Sequence, residues 1–340
     1  MYFYRAFLAL TRQSLALTYC KFHNLLLKGS PTFVILFTIF LSSSSVAQQK
    51  PMITQYMFTS MFLNPGFAGS SGGICATGLF RKQWIGFQDN EDNSTSLQTF
   101  LLTVDSPLKI LHGAVGGSIY QEKIGPLQIL AVKVGYTYRM ELGPGNFSVG
   151  IQLGFQNPKN DFGVYKPVES NDPILENKSD EESDFLFDMA AGLSYTIPEK
   201  FYVGLSSDQL LQTQGKNTNY KLRRHYYLTA GYQWSIPNHP VFELQPSLFL
   251  WFDGSEFQLN LSALVEYNKK FYGGLAYRLQ DAVSILAGVT FKGFRIGVAY
   301  DICTSSLTKY NSGSIEVMLS YCFKIETDKF RKSYHNTRFL

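Results

Sequence analysis

Phe257-Gln258-Leu259-Asn260-Leu261-Ser262-Ala263-Leu264-Val265-Glu266-Tyr267 is the stretch that decides the fold. Phe257, Leu259, Leu261, Ala263, Val265 and Tyr267 form one row; Gln258, Asn260, Ser262, Leu264 and Glu266 form the other. Side chains of a strand point to opposite faces with period two, so this segment has one apolar face and one largely polar face. The same alternation restarts over 271–278, 283–291, 294–302 and 315–323. Repeated segments of about ten alternating residues, rich in aromatics and split by turn residues, are the signature of an outer-membrane β-barrel. In such a barrel the apolar row faces lipid and the polar row faces a lumen.

Working outward, strands are expected near 74–87, 95–105, 112–122, 127–141, 145–156, 185–197, 200–207, 224–236, 240–252, 256–267, 270–279, 281–291, 293–303 and 313–323. This predicts an all-β, antiparallel up-and-down transmembrane barrel of about 14 strands, an even number as bacterial single-chain barrels have. The loop-like connections 88–94, 157–184, 208–223 and 304–312 all follow odd-numbered strands. The tight turns at 143–145, 198–200, 268–269 and 292–293 all follow even ones. Long loops outside and short turns in the periplasm then place both termini in the periplasm. The last strand ends Tyr321-Cys322-Phe323, an aromatic-x-aromatic ending similar to the signal that barrel-assembly machinery reads.

The chain has 340 residues, 45% of them hydrophobic, yet no run approaches the ~20 apolar residues of a spanning helix. Residues 1–47 read as a secretory leader: Lys21 and Lys28, an apolar core at 33–41, small residues at 42–47, and a cleavage site after Ser45-Val46-Ala47. Residues 48–73 form an N-terminal segment without strand character, 74–323 the barrel, and 324–340 a basic periplasmic tail. The leader carries four basic residues, Arg5, Arg12, Lys21 and Lys28, and no acid. Its removal leaves 26 basic residues against 26 acidic ones, so charge gives no case for nucleic acid.

Catalytic and metal chemistry find little support. His112, His225, His239 and His335 lie in no HExxH, and no GxSxG or Walker pattern occurs. No cofactor motif is present. The loop 157–184 carries Asp172, Asp180, Glu181, Glu182 and Asp184. It reads as a solvated acidic rim where outside contacts could form, with calcium binding at Asp180, Glu181, Glu182 and Asp184 as the alternative. The inward rows hold Lys133, Arg139, Glu141, Glu243, Glu256, Glu266, Arg278, Arg295, Asp301 and Glu316, which are expected to pair with one another or with water. In the N-terminal segment, Tyr56, Phe58, Phe62, Asn64 and Pro65 could anchor a partner or fold into the lumen as a plug, against simple packing on the barrel wall. Cys75 begins the first strand and Cys322 ends the last, and these strands must pair to close the barrel. A disulfide between them and a pair of free buried thiols both remain open.

Several motifs in shared order carry a family resemblance. They are Gln55-Tyr56-Met57-Phe58, Leu63-Asn64-Pro65-Gly66-Phe67-Ala68-Gly69, 78–87 (GLFRKQWIGF), Lys123-Ile124-Gly125-Pro126, 201–206 (FYVGLS), 224–232 (RHYYLTAGY), Tyr300-Asp301 and 310–314 (YNSGS). From about residue 48 to 323 the chain resembles the PorP/SprF family of type IX secretion. It departs from the family pattern at Thr59-Ser60, where members carry an additional Asn-Pro, and in the basic tail. The resemblance implies a non-enzymatic outer-membrane barrel beside the type IX machinery, supporting export or surface attachment of large cargo such as adhesins. The implied partners are outer-membrane lipid, cargo with a type IX C-terminal domain, and periplasmic ring components. From the residues alone, a porin or small-solute transporter is the competing reading, since fourteen strands lie between filled barrels and open porins.

Overall fold

The computed structural model describes residues 50–87, 97–162 and 181–324. Fourteen long strands run β1 Gly73–Gln83, β2 Leu97–Leu108, β3 Gly113–Ile124, β4 Leu127–Leu142, β5 Gly145–Asp161, β6 Leu186–Ile197, β7 Phe201–Asp208, β8 His225–Tyr232, β9 Phe242–Phe252, β10 Phe257–Tyr267, β11 Phe271–Arg278, β12 Ala282–Phe291, β13 Phe294–Cys303 and β14 Ser314–Lys324. Two short pieces, Glu181–Ser183 and Trp234–Ser235, continue β6 and β8. Each strand pairs antiparallel with its neighbour in sequence, and β14 returns to β1 in register from Gly73↔Lys324 to Lys82↔Ile315. The sheet is therefore a closed barrel with no free edge, the arrangement that satisfies every backbone group in lipid.

The faces fall as the alternation requires. In β10, Phe257, Leu261, Val265 and Tyr267 point outward and are exposed, while Asn260, Ser262 and Glu266 are buried in the interior. Apolar side chains outside and polar ones inside reverse the pattern of a globular protein. Tight connections close one end of the barrel; at one of them Lys292 and Gly293 both take positive φ (47° and 87°), the type I′ geometry that suits a two-residue hairpin.

Some boundaries differ from the sequence reading. The first strand stops at Gln83, because Trp84 and Gly86 take positive φ (56° and 81°) and turn the chain out of the sheet. The fifth strand runs on to Asp161, so 157–161 is ladder rather than loop. The β4–β5 hairpin, 16 and 17 residues to a side, exceeds the 9–11 that cross a bilayer and projects beyond it. The expected leader 1–47, loop 88–94, acidic-rim residues Asp172 and Asp180, and all of the expected tail 324–340 except Lys324, which ends β14, lie outside the described residues.

Residues 50–72 are not part of the wall. Three short turns, Tyr56–Phe58, Ser60–Leu63 and Pro65–Phe67, fold this segment inside the barrel, where Tyr56, Phe62, Leu63 and Phe67 are buried.

Candidate functional site

The lumen is occupied along its length by the chain's own N-terminal segment, and the wall holds it at four levels. At the end of the long connections, the Lys50 ammonium lies 2.9 Å from Asp208, the last residue of β7, and 5.0 Å from the centre of the Tyr120 ring. Lys133 bonds the other Asp208 oxygen, which also accepts the N–H of Gln209. Two cations thus share one buried carboxylate. A desolvated charge is tolerated only when paired in this way.

One layer deeper sits the strongest clamp. Glu316 accepts two consecutive backbone N–H groups, from Thr54 (2.9 Å) and Gln55 (2.8 Å). Arg81 lies between Asp301 (2.7 Å) and Glu316 (3.2 Å). The Thr54 hydroxyl donates to Asp301 and accepts from Arg81 and Arg278. Arg278 also bonds Asp281 and Asn260. All of Arg81, Asp301 and Glu316 are buried, so these are charge-assisted bonds in a dry setting.

Below this, aromatic contacts take over. Tyr56 stacks on Phe249 at 5.3 Å, with its hydroxyl 3.1 Å from both Ser247 and Ser262. Phe58 lies against Tyr272 (5.2 Å) and the Arg295 guanidinium (4.6 Å). Phe62 turns back to the first level, where it meets Tyr120 edge-on beside Lys50.

The fourth level explains the Leu-Asn-Pro-Gly-Phe-Ala-Gly motif. Asn64 donates to the Leu193 carbonyl and accepts the N–H of Gly66, capping the turn that Pro65 starts. Ser206, Thr137 and Ser194 bond the carbonyls of Leu63, Pro65 and Gly66. Arg139 reaches the carbonyls of Ala68 and Gly69, and Asp105 takes the Gly69 N–H. The wall is glycine where the motif touches it. A Cβ on Gly192 would stand 2.0 Å from Asn64 Oδ1, and one on Gly204 would stand 2.5 Å from the Phe67 ring. Only a bare backbone allows this approach.

Of the sequence candidates, Tyr56, Phe58, Phe62, Asn64 and Pro65 are brought together inside the barrel, with Phe58 partly buried and the others buried. Glu181 is exposed and pairs with Lys159 at 2.7 Å, while Glu182, the next residue in the short continuation of β6, stands opposite Asn160. Asp184 does not face a cation. Its carboxylate accepts the N–H groups of Lys216, Asn217 and Thr218 and the Thr218 hydroxyl (2.6 Å), fixing the turn of the 209–224 loop. Burial there would raise this carboxyl, but the hydroxyl and N–H donors outweigh it and hold it below the usual carboxylate range. Among the described residues, no group of three or more His, Cys, Asp or Glu side chains could hold a metal ion. Cys75 and Cys322 stand directly opposite in the β1–β14 ladder, Cα atoms 4.1 Å apart, with their sulfurs bonded.

The residues that sequence reasoning missed are Lys50, Thr54, Gln55, Arg81 and Asp208. Arg81 shares a row with Cys75, Thr77 and Leu79, so strand parity was a signal that could have found it; Asp208 fell in the expected loop 208–223 and carried no such signal, because β7 runs one residue further than expected. Lys50 lies at the long-connection end and Lys324 at the tight-turn end, so the two ends of the described chain lie at opposite mouths and the N-terminal segment runs through the lumen between them.

Spaces remain beside the plug: about 150 Å³ and 140 Å³ near Met57 and Phe58, and about 400 Å³ at the tight-turn mouth among Glu243, Glu266, Lys269 and Arg295. A larger concavity of about 1000 Å³ lies on the outer wall among Val104, Val134, Tyr136 and Ile151, facing lipid rather than the lumen.

Wall and plug together define an outer-membrane β-barrel occluded by its own N-terminal segment. The fold agrees with solved outer-membrane barrels. The toluene transporter TbuX of Ralstonia pickettii matches at 12% identity with a TM-score of 0.51, over 77% of this chain and 92% of that one. The toluene transporter TodX of Pseudomonas putida (10% identity, TM-score 0.45, 84% and 95% covered) and Omp33 of Acinetobacter baumannii (7%, 0.44, 74% and 99%) match more loosely and carry no argument. No curated protein matches the chain. The sequence profile of the Type IX secretion system membrane protein PorP/SprF family matches residues 45–321, and the chain belongs to that family.

Proposed function

We propose that this barrel is a non-enzymatic accessory of type IX secretion that supports export or surface attachment of large cargo proteins such as adhesins. The observation that carries the reading is the clamped plug. Residues 50–72 are held by Arg81, Asp301 and Glu316, so a lumen that does not stand open serves presentation better than passage. The family supplies the secretion system. Cargo with a type IX C-terminal domain, and the ring components beneath the membrane, are the partners it suggests. The 209–224 loop and Asp184 face outward in this reading and the end of β14 at Lys324 faces the periplasm, as in barrels with short periplasmic turns. Loops positioned on a rigid wall are where binding residues concentrate, and Asp184 fixes the 215–218 turn of this one.

Deleting the gene tests this. Surface display or release of a specific large cargo should be lost, with outer-membrane permeability to small solutes unchanged. A strain that keeps its surface proteins but loses uptake of a small solute would make the barrel a transporter instead.

A further inference from the structure

We infer that the 209–224 loop is a lid, and that its closure sets the strength of the ionic latch on the plug's first level. Lid and latch hang on the same carboxylate.

The loop is folded as a cover. Gln214 bridges Lys221, the Gly215 N–H bonds the Tyr220 carbonyl (2.8 Å), and the Leu222 N–H bonds the Thr213 carbonyl (2.9 Å), which makes it a small hairpin. Gln212, Gln214, Lys216, Asn217 and Asn219 are exposed. Gln209 and Leu222 have no exposure, and Tyr220 packs on the apolar cluster to which Met52 and Ile53 of the plug belong.

The base of this hairpin is tied to the charged groups of the latch. Asp208 pairs with Lys50 at 2.9 Å, bonds Lys133, and accepts the Gln209 N–H at 2.8 Å. Asp188, buried on β6, accepts the Leu211 N–H at 3.1 Å. The Leu210 N–H reaches the Met189 carbonyl, and Arg224 donates back to the Leu210 carbonyl. Gln209 takes a φ of 56°, a conformation uncommon for a residue with a side chain, and these bonds hold it there. It is the pivot on which the hairpin would lift.

Water couples the two. An ion pair kept from solvent is screened far less than an exposed one. The side chains of Lys50, Lys133 and Asp208 are only 5–7% exposed, so with the lid down their attraction is little screened. Lifting at Gln209 takes one N–H from Asp208, withdraws Tyr220 from the apolar cluster, and admits water and salt to the pair. The deeper levels keep their own partners on β1, β13, β14 and β6, so only the tip of the plug is loosened. The 215–218 turn, fixed by Asp184, is the far end of the same hairpin, and its displacement is transmitted to Lys50.

Cysteine reactivity in the purified full-length protein, without reductant, tests the coupling. The Cys75–Cys322 pair and buried Cys303 keep the background low. Met52→Cys should react slowly with a water-soluble maleimide, and equally so at about 0.05 M and 0.5 M salt. Leu222→Asp, which puts a charge at a position with no exposure, should raise that rate about tenfold by opening the lid, and the raised rate should climb further with salt. Asp184→Asn should act in the same direction by less. Ala68→Cys, at the fourth level, should stay slow throughout. A Met52→Cys rate that Leu222→Asp leaves unchanged overturns the lid. A rise that ignores salt overturns the electrostatic coupling. An equal rise at Ala68→Cys means the whole plug has come loose, and overturns a latch confined to the tip. If Leu222→Asp gives no heat-modifiable barrel, Tyr220→Ala makes the same test.

Discussion

Arg81 is where the wall and the plug meet in one side chain. Its guanidinium serves Asp301, Glu316 and the Thr54 hydroxyl at once, with almost no exposure. Arg81→Ala leaves two carboxylates buried beside one another without their main counter-charge, and breaking a buried pair costs about 3–5 kcal/mol. The urea midpoint of barrel unfolding should fall accordingly, and a cysteine at Thr54 should become reactive. Arg81→Lys keeps the charge but not the planar fork, and should recover only part of the loss. Gly192 gives a sharper test of contact. A methyl group there collides with Asn64, so Gly192→Ala should loosen the plug, while Gly78→Ala, whose added carbon meets nothing closer than 3.9 Å, should not. Protease cleavage within 50–72 would report both. Asp184 adds a pH dependence of definite sign. Its folded value lies below the unfolded value of about 3.9, so the stability it gives the 215–218 turn is complete above that range. That stability disappears only as pH falls through the lower, folded value. Exchange rates of the Lys216, Asn217 and Thr218 amides should therefore match at pH 7 and pH 5 once corrected for intrinsic chemistry, and Asp184→Asn should raise them at both.

The N-terminal segment behaves as an element of its own, although it contains only three short turns. Removing residues 50–70 takes away the Thr54, Tyr56 and Asn64 contacts while leaving every strand pair intact. In planar bilayers the intact protein should show little or no conductance and the deletion variant large, steady openings; a conducting intact protein would contradict an occluding plug. The difference between wall and plug is also the difference between what could and could not be read from the sequence. The rows of β10 to β14 are legible because lipid on one face and a polar lumen on the other impose a period of two on each strand. The number of strands and the alternation of long and short connections follow from that constraint. The turns of the plug have no period to detect. Their partners lie far away in sequence, 262 residues for Thr54 and Glu316 and 129 for Asn64 and Leu193, and come together only when the barrel closes. The aromatic and Asn-Pro residues drew notice through composition, whereas Lys50 and Thr54, which look ordinary in the sequence, make the charged contacts. Strand parity was a signal for Arg81, but naming what it binds, and finding Asp208 at the end of β7 at all, needed the fold.

At the scale of the whole molecule, the seam between β1 and β14 is the join on which the barrel depends, and Cys75 and Cys322 bridge it. Wild-type protein should migrate faster on a non-reducing denaturing gel than after reduction, and Cys75→Ser or Cys322→Ser should abolish the difference. Loss of a long-range disulfide of this kind costs typically about 2–4 kcal/mol, so either variant should unfold at lower denaturant while keeping the barrel's strand content. The bond also changes the connectivity of the chain. Residues 75–322 become a covalent ring, and the segment that precedes the ring passes through its centre. The protein is then a lasso: a tail threaded through a loop formed from the rest of the same polypeptide. Parting every hydrogen bond of the seam would not free the tail sideways, because the ring still encircles it. It can leave only lengthwise, withdrawn through the tight-turn mouth where it joins β1 at Gly73.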